Sequence, residues 1–439
     1  MLKDKNITPK QHFAPMTLTY MFGVFNDNFF KQSAMLLALG AGLKDAQALI
    51  TIIFTLPYLF LTSASGWCAD RFAKRNVVIA SKALEVVAVC FGIAGLLMLE
   101  KTDTLYSGSW ILIFTMVGIM GAQSSIFSPA LNGSIPEIFT ESYVMYVNSI
   151  LKLVVTASIF AGVGFAGIIM DIKVPSFAAG YLNRIPAEKI GQTMVCIVMF
   201  LVAVLGFIFS FGVKSKGPSS NGQKFPILGP INALEYLYKM REDALLSIAV
   251  WANTFIWFIG SLMVLIINEI GKTQLGYSNT STSLMVVALM FGVSAGALIC
   301  AKTIKERQWY TVIIPASLAM AFMCLSVFFV PLMPDLYISI LPVRLVVLVA
   351  VFGAIGIAGG IYLIPVVSFI QIRPKADRKG NILGASNFAG MGGVMLSGPV
   401  YWIFVKLSLK PSQSFFVIFL LMMIYSIFIK KFLAGKKTD

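Results

Sequence analysis

The sequence predicts an all-α polytopic membrane protein, with twelve transmembrane helices in two six-helix halves, and three observations carry that prediction. The 439-residue chain is 58% hydrophobic and only 12% charged, whereas soluble domains carry about 25% charged residues. Its apolar runs are long and uniform, each sufficient to cross a bilayer as a helix at about 1.5 Å of rise per residue. A membrane barrel would instead show alternating segments of about 10 residues. Finally, the longest polar interruption, Lys214 to Asp243, leaves six apolar runs on either side.

Taken in order, the runs predict helices over 15–40, 46–66, 76–98, 109–131, 144–169 and 190–213, then 244–270, 280–300, 309–331, 337–364, 381–405 and 412–432. These define an N-terminal half (1–213), a cytoplasmic linker (214–243) and a C-terminal half (244–439). The linker opens with Lys-Ser-Lys-Gly-Pro-Ser-Ser-Asn-Gly-Gln-Lys, the composition of a flexible connector. It closes with Ile231, Leu234, Leu237 and Tyr238 at helical spacing, which predicts an amphipathic helix over 231–240 lying at the membrane surface.

The net charge of +15 invites a nucleic-acid reading, but the basic residues lie between the apolar runs, where they report topology. With both termini cytoplasmic, 22 of the 34 Lys and Arg fall in inside segments and 8 in outside loops. The other four, Lys31, Lys82, Lys152 and Arg344, fall within runs. Cys68, Cys90, Cys196, Cys300 and Cys324 are dispersed without metal-ligand spacing, so neither a disulfide nor a metal site is expected. His12 is the single histidine, which leaves histidine chemistry almost no material. The first apolar run is too long for a signal peptide and lacks a small-residue cleavage site.

Polar groups inside the first run are the informative ones. Asn26, Asp27 and Asn28 are followed one turn later by Lys31 and Gln32. A carboxylate at the bilayer centre costs about 2.5–3.5 kcal/mol on insertion scales, so it must face other helices, a wet cavity or a partner charge. Asp27 and Lys31, four apart, share a helix face: they either neutralise each other at a helix contact or line a polar cavity. Asn28 and Gln32 repeat that spacing on the adjacent stripe. Lys152, well inside the fifth run, requires a nearby anion, for which Asp27 is one candidate. Asn381 and Asn387 in the eleventh run are further cavity candidates. Gly118, Gly121, Ser124, Ser125 and Ser128, and Gly353, Gly356, Gly359 and Gly360, predict close helix packing. Pro129, Pro136 and Pro365 predict bends or ends. Phe29, Phe30, Trp251, Trp257 and Phe258 offer an apolar wall, or simply face lipid.

Between the second and third runs stands Gly66-Trp67-Cys68-Ala69-Asp70-Arg71-Phe72-Ala73-Lys74-Arg75. It resembles the signature loop of the major facilitator superfamily, with Cys68 in place of the usual Leu and Ala73 in place of the second Gly. In that reading Asp70 caps a helix, and Gly66, Asp70, Arg71, Lys74 and Arg75 form a cytoplasmic gate loop with a breakable ionic latch. The equivalent stretch of the second half, Gly296 to Arg307, lacks the aspartate.

Gly23-Val24-Phe25-Asn26-Asp27-Asn28-Phe29-Phe30-Lys31 resembles the opening of the bacterial lysophospholipid transporters, a family that includes transporter modules fused to acyltransferases. Ser65-Gly66, the stretch Ala69 to Lys74, Gly121-Ala122-Gln123-Ser124-Ser125-Ile126-Phe127-Ser128-Pro129, Asn148-Ser149 and Gly380-Asn381 extend the likeness along essentially the whole chain. The departures are Leu131-Asn132, where the family commonly has Lys-Tyr, and Lys152, where it has Glu. The resemblance implies a major facilitator fold without cofactor, working as a secondary transporter in the bacterial cytoplasmic membrane. Its substrate site would lie near the midplane between the halves. The cargo it implies is a lysophospholipid or other amphiphile, handed to a separate acyltransferase, with the transporter itself a monomer. Asn26, Asp27, Asn28, Lys31, Gln32, Gln123, Lys152, Asn381 and Asn387 are the candidate cavity residues. An ion-coupled exporter on the same fold and a non-transporting partner of an acyltransferase are the alternatives. Acyl transfer by this chain is not expected, since His12 has Thr17 where a His-x4-Asp arrangement needs aspartate. Nor does the sequence contain a Gly-x4-Gly-Lys-Ser/Thr phosphate loop to drive transport with ATP.

Overall fold

The computed structural model describes residues 9–100, 102–172, 189–215, 217, 225–226, 228–303, 309–334, 336–338, 341–375 and 378–434. The expectations for most of the linker's polar opening, the chain ends and the segment after 303 lie outside the described residues.

Among the described residues the fold is helical: α1 (Pro9–Gly40), α2 (Asp45–Arg71), α3 (Lys74–Met98), α4 (Gly108–Ile138), α5 (Glu141–Met170), α6 (Ile190–Ser210), the short α7 (Gly229–Lys239), then α8 (Ala244–Glu269), α9 (Asn279–Thr303), α10 (Tyr310–Phe329), α11 (Val343–Ile372), α12 (Lys379–Lys406) and α13 (Pro411–Ala434). Eleven of these helices are long and apolar enough to cross a membrane by length and composition. The twelfth long helix, α1, is made more polar by its Asn-Asp-Asn and Lys-Gln clusters. It nevertheless lies lengthwise against two spanning helices. Phe13 meets Tyr146 in the first part of α5, Phe25 meets Phe165 near its end, and Phe22 stacks on Phe209 of α6.

Several boundaries differ from the expected ones for physical reasons. Instead of ending at 131, α4 continues through Pro129 and Pro136 to Ile138, and α11 runs through Pro365. Within a membrane bundle, neighbouring helices re-satisfy the backbone groups that proline frees. Where the tenth span was expected to open, β1 (Tyr337–Ile338) instead pairs antiparallel with β2 (Leu341–Pro342) before α11 begins. The turn between α2 and α3 is shorter than expected, Phe72-Ala73, because α2 extends through Asp70 to Arg71.

The chain divides into two compact units, Met1–Pro230 and Ile231–Asp439. The boundary falls within α7 rather than on either side of a separate linker. Each unit contains six long helices packed in the same pattern. In the first unit α1 packs on α5 and α6, α2 on α4, and α3 on α4 and α6; in the second α8 packs on α12 and α13, α9 on α11, and α10 on α11 and α13. Repetition of one packing scheme within a single chain is the architecture of an internal repeat.

Because lipid already solvates apolar side chains, helices in a bilayer associate through close packing. The α9–α11 crossing shows the limit of this. A Cβ at Gly356 would sit 2.1 Å from the Leu289 carbonyl oxygen, and one at Gly360 would sit 2.1 Å from that of Val293. At Gly353, one turn away, the nearest atom is 3.9 Å off. Gly356→Val or Gly360→Val is therefore expected to lower the thermal unfolding temperature in detergent, through overpacking worth at least about 1–3 kcal/mol. Gly353→Ala leaves it essentially unchanged. Tryptophan fluorescence during a temperature ramp reads both, and equal effects at the three positions would refute the close-approach account.

Candidate functional site

The first unit places four charges within its long helices, two of them buried and two half-buried, on helices that meet one another. Lys82 and Glu85 of α3, three residues apart, are both 0% exposed and pair at 2.6 Å. The carboxylate's other oxygen accepts from Asn26 Nδ2 of α1 at 3.0 Å. The ammonium also lies over the Phe127 ring of α4, 4.5 Å from its centroid. Space for it comes from Gly23, where a Cβ would stand 2.1 Å from Lys82 Nζ. Each part of this arrangement compensates the desolvation of another, as buried charges require.

Next to Asn26 on α1, Asp27 turns toward α4. Ser124 Oγ donates to Asp27 Oδ2 at 2.6 Å, and Gln123 Nε2 donates to Ser124 Oγ at 2.7 Å. Asp27 Oδ1 and Gln123 Oε1 are buried acceptors without a donor among the described residues. One turn on, the half-buried Lys31 places its ammonium 4.0 Å from the centre of the Phe54 ring of α2. Asp27 and Lys31 make no direct ion pair among the described residues; another helix holds each. The pair that spacing permits is therefore not what the side chains adopt. A half-satisfied carboxylate and an ammonium resting on an aromatic face are left within one turn of each other.

The structure redistributes the remaining candidates. Asn26 is fully buried and tethers α1 to α3 rather than facing a cavity. Asn28 Nδ2 donates back to the Val24 carbonyl at 2.8 Å, satisfying its own helix. Gln32 and Gln123 are buried. Lys152, expected to be buried beside an anion, is exposed on α5 and has no ion-pair partner among the described residues. Asn387 is exposed, and Asn381, also exposed at the start of α12, donates to Tyr236 Oη of α7 at 2.8 Å. Phe29 and Phe30 belong to the core, while Trp251 and Trp257 are exposed.

The gate loop is corrected as well. Asp70 lies exposed in the last turn of α2, caps no helix, and has no ion-pair partner among the described residues. Its neighbours make the ties. Lys74 Nζ pairs with Glu137 at the end of α4 at 2.5 Å. Arg75 donates through its backbone N–H to Ser215 Oγ at 3.1 Å and through its guanidinium to the Phe211 carbonyl at 3.2 Å. Gly66 is half-buried and Arg71 exposed.

The Lys82–Glu85 pair lies outside the site residues expected from the sequence, where Lys82 figures only as a basic residue within a span. The signal was available: Ser81-Lys82-Ala83-Leu84-Glu85 places two charges one turn apart in an apolar run, the same anomaly that marks Asp27. In the second unit, by contrast, α8 to α13 carry Asp, Glu, Lys and Arg only toward their ends. The second unit's most buried charge, Glu269, stands at the end of α8 rather than mid-helix.

With this geometry in place, comparison with known proteins identifies the family. A family model described as Major Facilitator Superfamily matches residues 13–399. The chain belongs to that superfamily. Among curated relatives it is similar to the Lysophospholipid transporter LplT of Yersinia pestis (strain Pestoides F), 21% identical over 423 residues, covering 93% of this chain and 90% of the relative. The LplT of Yersinia pseudotuberculosis serotype O:3 (strain YPIII) matches with the same identity and coverage. Solved structures with the same fold include a bacterial homologue of the human lysosomal transporter Spinster, inward-facing and unoccupied, with a TM-score of 0.67 and 16% identity over 98% of each chain. A POT family transporter in complex with 5-aminolevulinic acid aligns with a TM-score of 0.69 and 11% identity, over 97% of this chain and 96% of that one. At these identities the structures show the fold alone.

Removing one partner of a buried ion pair costs about 3–5 kcal/mol, whereas replacing both with apolar residues is often neutral. Lys82→Met alone and Glu85→Leu alone are therefore expected to destabilise the protein strongly, and the double substitution to recover most of the loss. Thermal unfolding of the three purified variants measures this, and additive losses in the double variant would show that the two side chains do not act as a pair.

Proposed function

We propose that this chain is a secondary transporter that moves lysophospholipids across, or between the leaflets of, the bacterial cytoplasmic membrane by alternating access. The observation that carries the reading is the half-satisfied Asp27 carboxylate and the Lys31 ammonium, one turn apart in the interior of α1. Similarity to LplT along 93% of the chain supports this cargo. An amphiphile needs a few polar contacts for its headgroup beside apolar surface for its chain. Lys31 contacts the headgroup phosphate. Asp27, oriented by Ser124 and Gln123, sets the polarity beside it. Asn28, Gln32, Lys152, Asn381 and Asn387 are secondary cavity candidates.

In this reading both termini are cytoplasmic, as the distribution of Lys and Arg implies. The imported lipid is passed to a separate acyltransferase, and the transporter works as a monomer. The chain carries out no covalent step itself. The cytoplasmic contacts that hold one access state are Lys74–Glu137 and the Arg75 ties to the end of α6, with exposed Asp70 and Arg71 beside them.

Uptake of labelled lysophosphatidylethanolamine into spheroplasts tests the proposal. Expression of the wild-type chain is expected to confer saturable uptake. Asp27→Asn and Lys31→Gln, inserted at normal levels, are expected to lower it about tenfold or more, since hydrogen bonds to charged groups contribute about 1.5–3 kcal/mol. Absence of uptake with efflux of a hydrophobic cation instead would favour an exporter. Full lysolipid recycling by Asp27→Ala would favour a non-transporting partner of an acyltransferase.

A further inference from the structure

We propose that the C-terminal part of α7, together with Arg241, is a docking site for the anionic phospholipid surface of the membrane. The site is separate from the transport residues of α1. Ile231, Leu234 and Tyr238 follow one another at three- and four-residue spacing and so form one narrow helical stripe. They are 58%, 55% and 67% exposed. An apolar stripe that the described residues leave uncovered needs an apolar environment.

The attachments of α7 indicate which environment it is. Tyr236 Oη accepts from Asn381 Nδ2, at the start of α12, at 2.8 Å. Just past α7, Asp243 accepts from the Leu246 N–H at 3.2 Å, capping α8, and from Arg373 Nε, which follows α11, at 2.7 Å. The helix is therefore pinned where α8 and α12 begin and α11 ends. In a spanning bundle that level is the boundary between headgroups and acyl chains. By the distribution of Lys and Arg it is the cytoplasmic boundary.

Charge completes the match. The Arg241 guanidinium lies 4.9 Å from the centre of the Tyr238 ring, at the end of the apolar stripe, and has no carboxylate partner among the described residues. Lys239 is exposed beside it, and the hydrogen bond it donates to Glu235 at 2.6 Å holds the ammonium's pKa above the usual value, so it stays cationic. Of the nearby acids, Glu235 is engaged by Lys239 and Asp243 by Arg373, leaving exposed Glu242. Arg378 is close enough to be felt by Lys239 as a like charge. An apolar stripe rimmed by tyrosine and basic residues is the pattern of a helix lying in the interface, its apolar face about 5–10 Å into the headgroup and acyl boundary. The basic residues then meet lipid phosphates.

The test uses the full chain with its five native cysteines replaced and a single nitroxide-labelled cysteine at 234 or 232. The protein is reconstituted either in phosphatidylethanolamine with phosphatidylglycerol or in phosphatidylcholine alone. The label at 234 is expected to collide with oxygen and be shielded from a water-soluble nickel chelate, and the label at 232 to show the reverse. Phosphatidylglycerol retained by the purified protein is expected to fall about fivefold in affinity in Arg241→Gln. Equal nickel accessibility at 234 and 232 in both vesicles would overturn the docking. Unchanged phosphatidylglycerol retention in Arg241→Gln would overturn the headgroup contact. Neither readout involves a transported substrate, so failure here is distinguishable from failure of the transport reading.

Discussion

Hydrocarbon offers no hydrogen bonds, and the whole structure follows from the requirement that the protein supply them itself. The backbone meets that requirement by being helical, which is why a chain that is 58% hydrophobic is built on long helices. Side chains face the same demand. Glu85 is answered by Asn26 and Asp27 by Ser124, each from another helix, and such contacts hold the first unit together away from its surfaces.

The Lys82–Glu85 pair makes this concrete. Neither charge is affordable alone, and their bond is only part of the compensation. Asn26 from α1 and the Phe127 ring from α4 complete it, with Gly23 vacating the necessary volume. One ion pair on α3 thus sets how α1 and α4 are rotated around it. The rotation of α1 that turns Asn26 toward α3 leaves Asp27, one residue on, facing α4 and Ser124. A fully satisfied cluster thereby orients a neighbouring one that remains partly unsatisfied, and the latter is where a ligand has something to gain.

The second unit solves the packing problem differently. With charges only toward its helix ends, it relies on glycine-lined crossings such as α9 with α11, on buried hydroxyl pairs such as Ser317 with Ser426, and on Tyr362 donating to the Ala252 carbonyl. The same pattern of helix pairing is thus reached by unlike chemistry in the two units. Divergence of that kind suits a repeat whose fold is retained while one copy carries the polar groups and the other is mainly apolar framework.

The long apolar helices, the repeated halves, the amphipathic helix and the anomaly at Asp27 were legible in the sequence, although eleven helices rather than the expected twelve have the length and composition of a span among the described residues. Each is a property of local composition or of one helical period. Partners were not legible. Spacing allowed Asp27 and Lys31 to bond to each other, but Ser124 and Phe54 on other helices compete for them. Apolar surroundings implied that Lys152 is buried, yet a spanning helix also has an outward face, and only packing decides which residues occupy it. Asp70 was assigned a cap and a latch by likeness to a motif, while the fold extends α2 past it and gives the cytoplasmic ties to Lys74 and Arg75. A sequence records the cost of placing a charge in a bilayer; which neighbour offsets that cost is settled by how the helices rotate against one another.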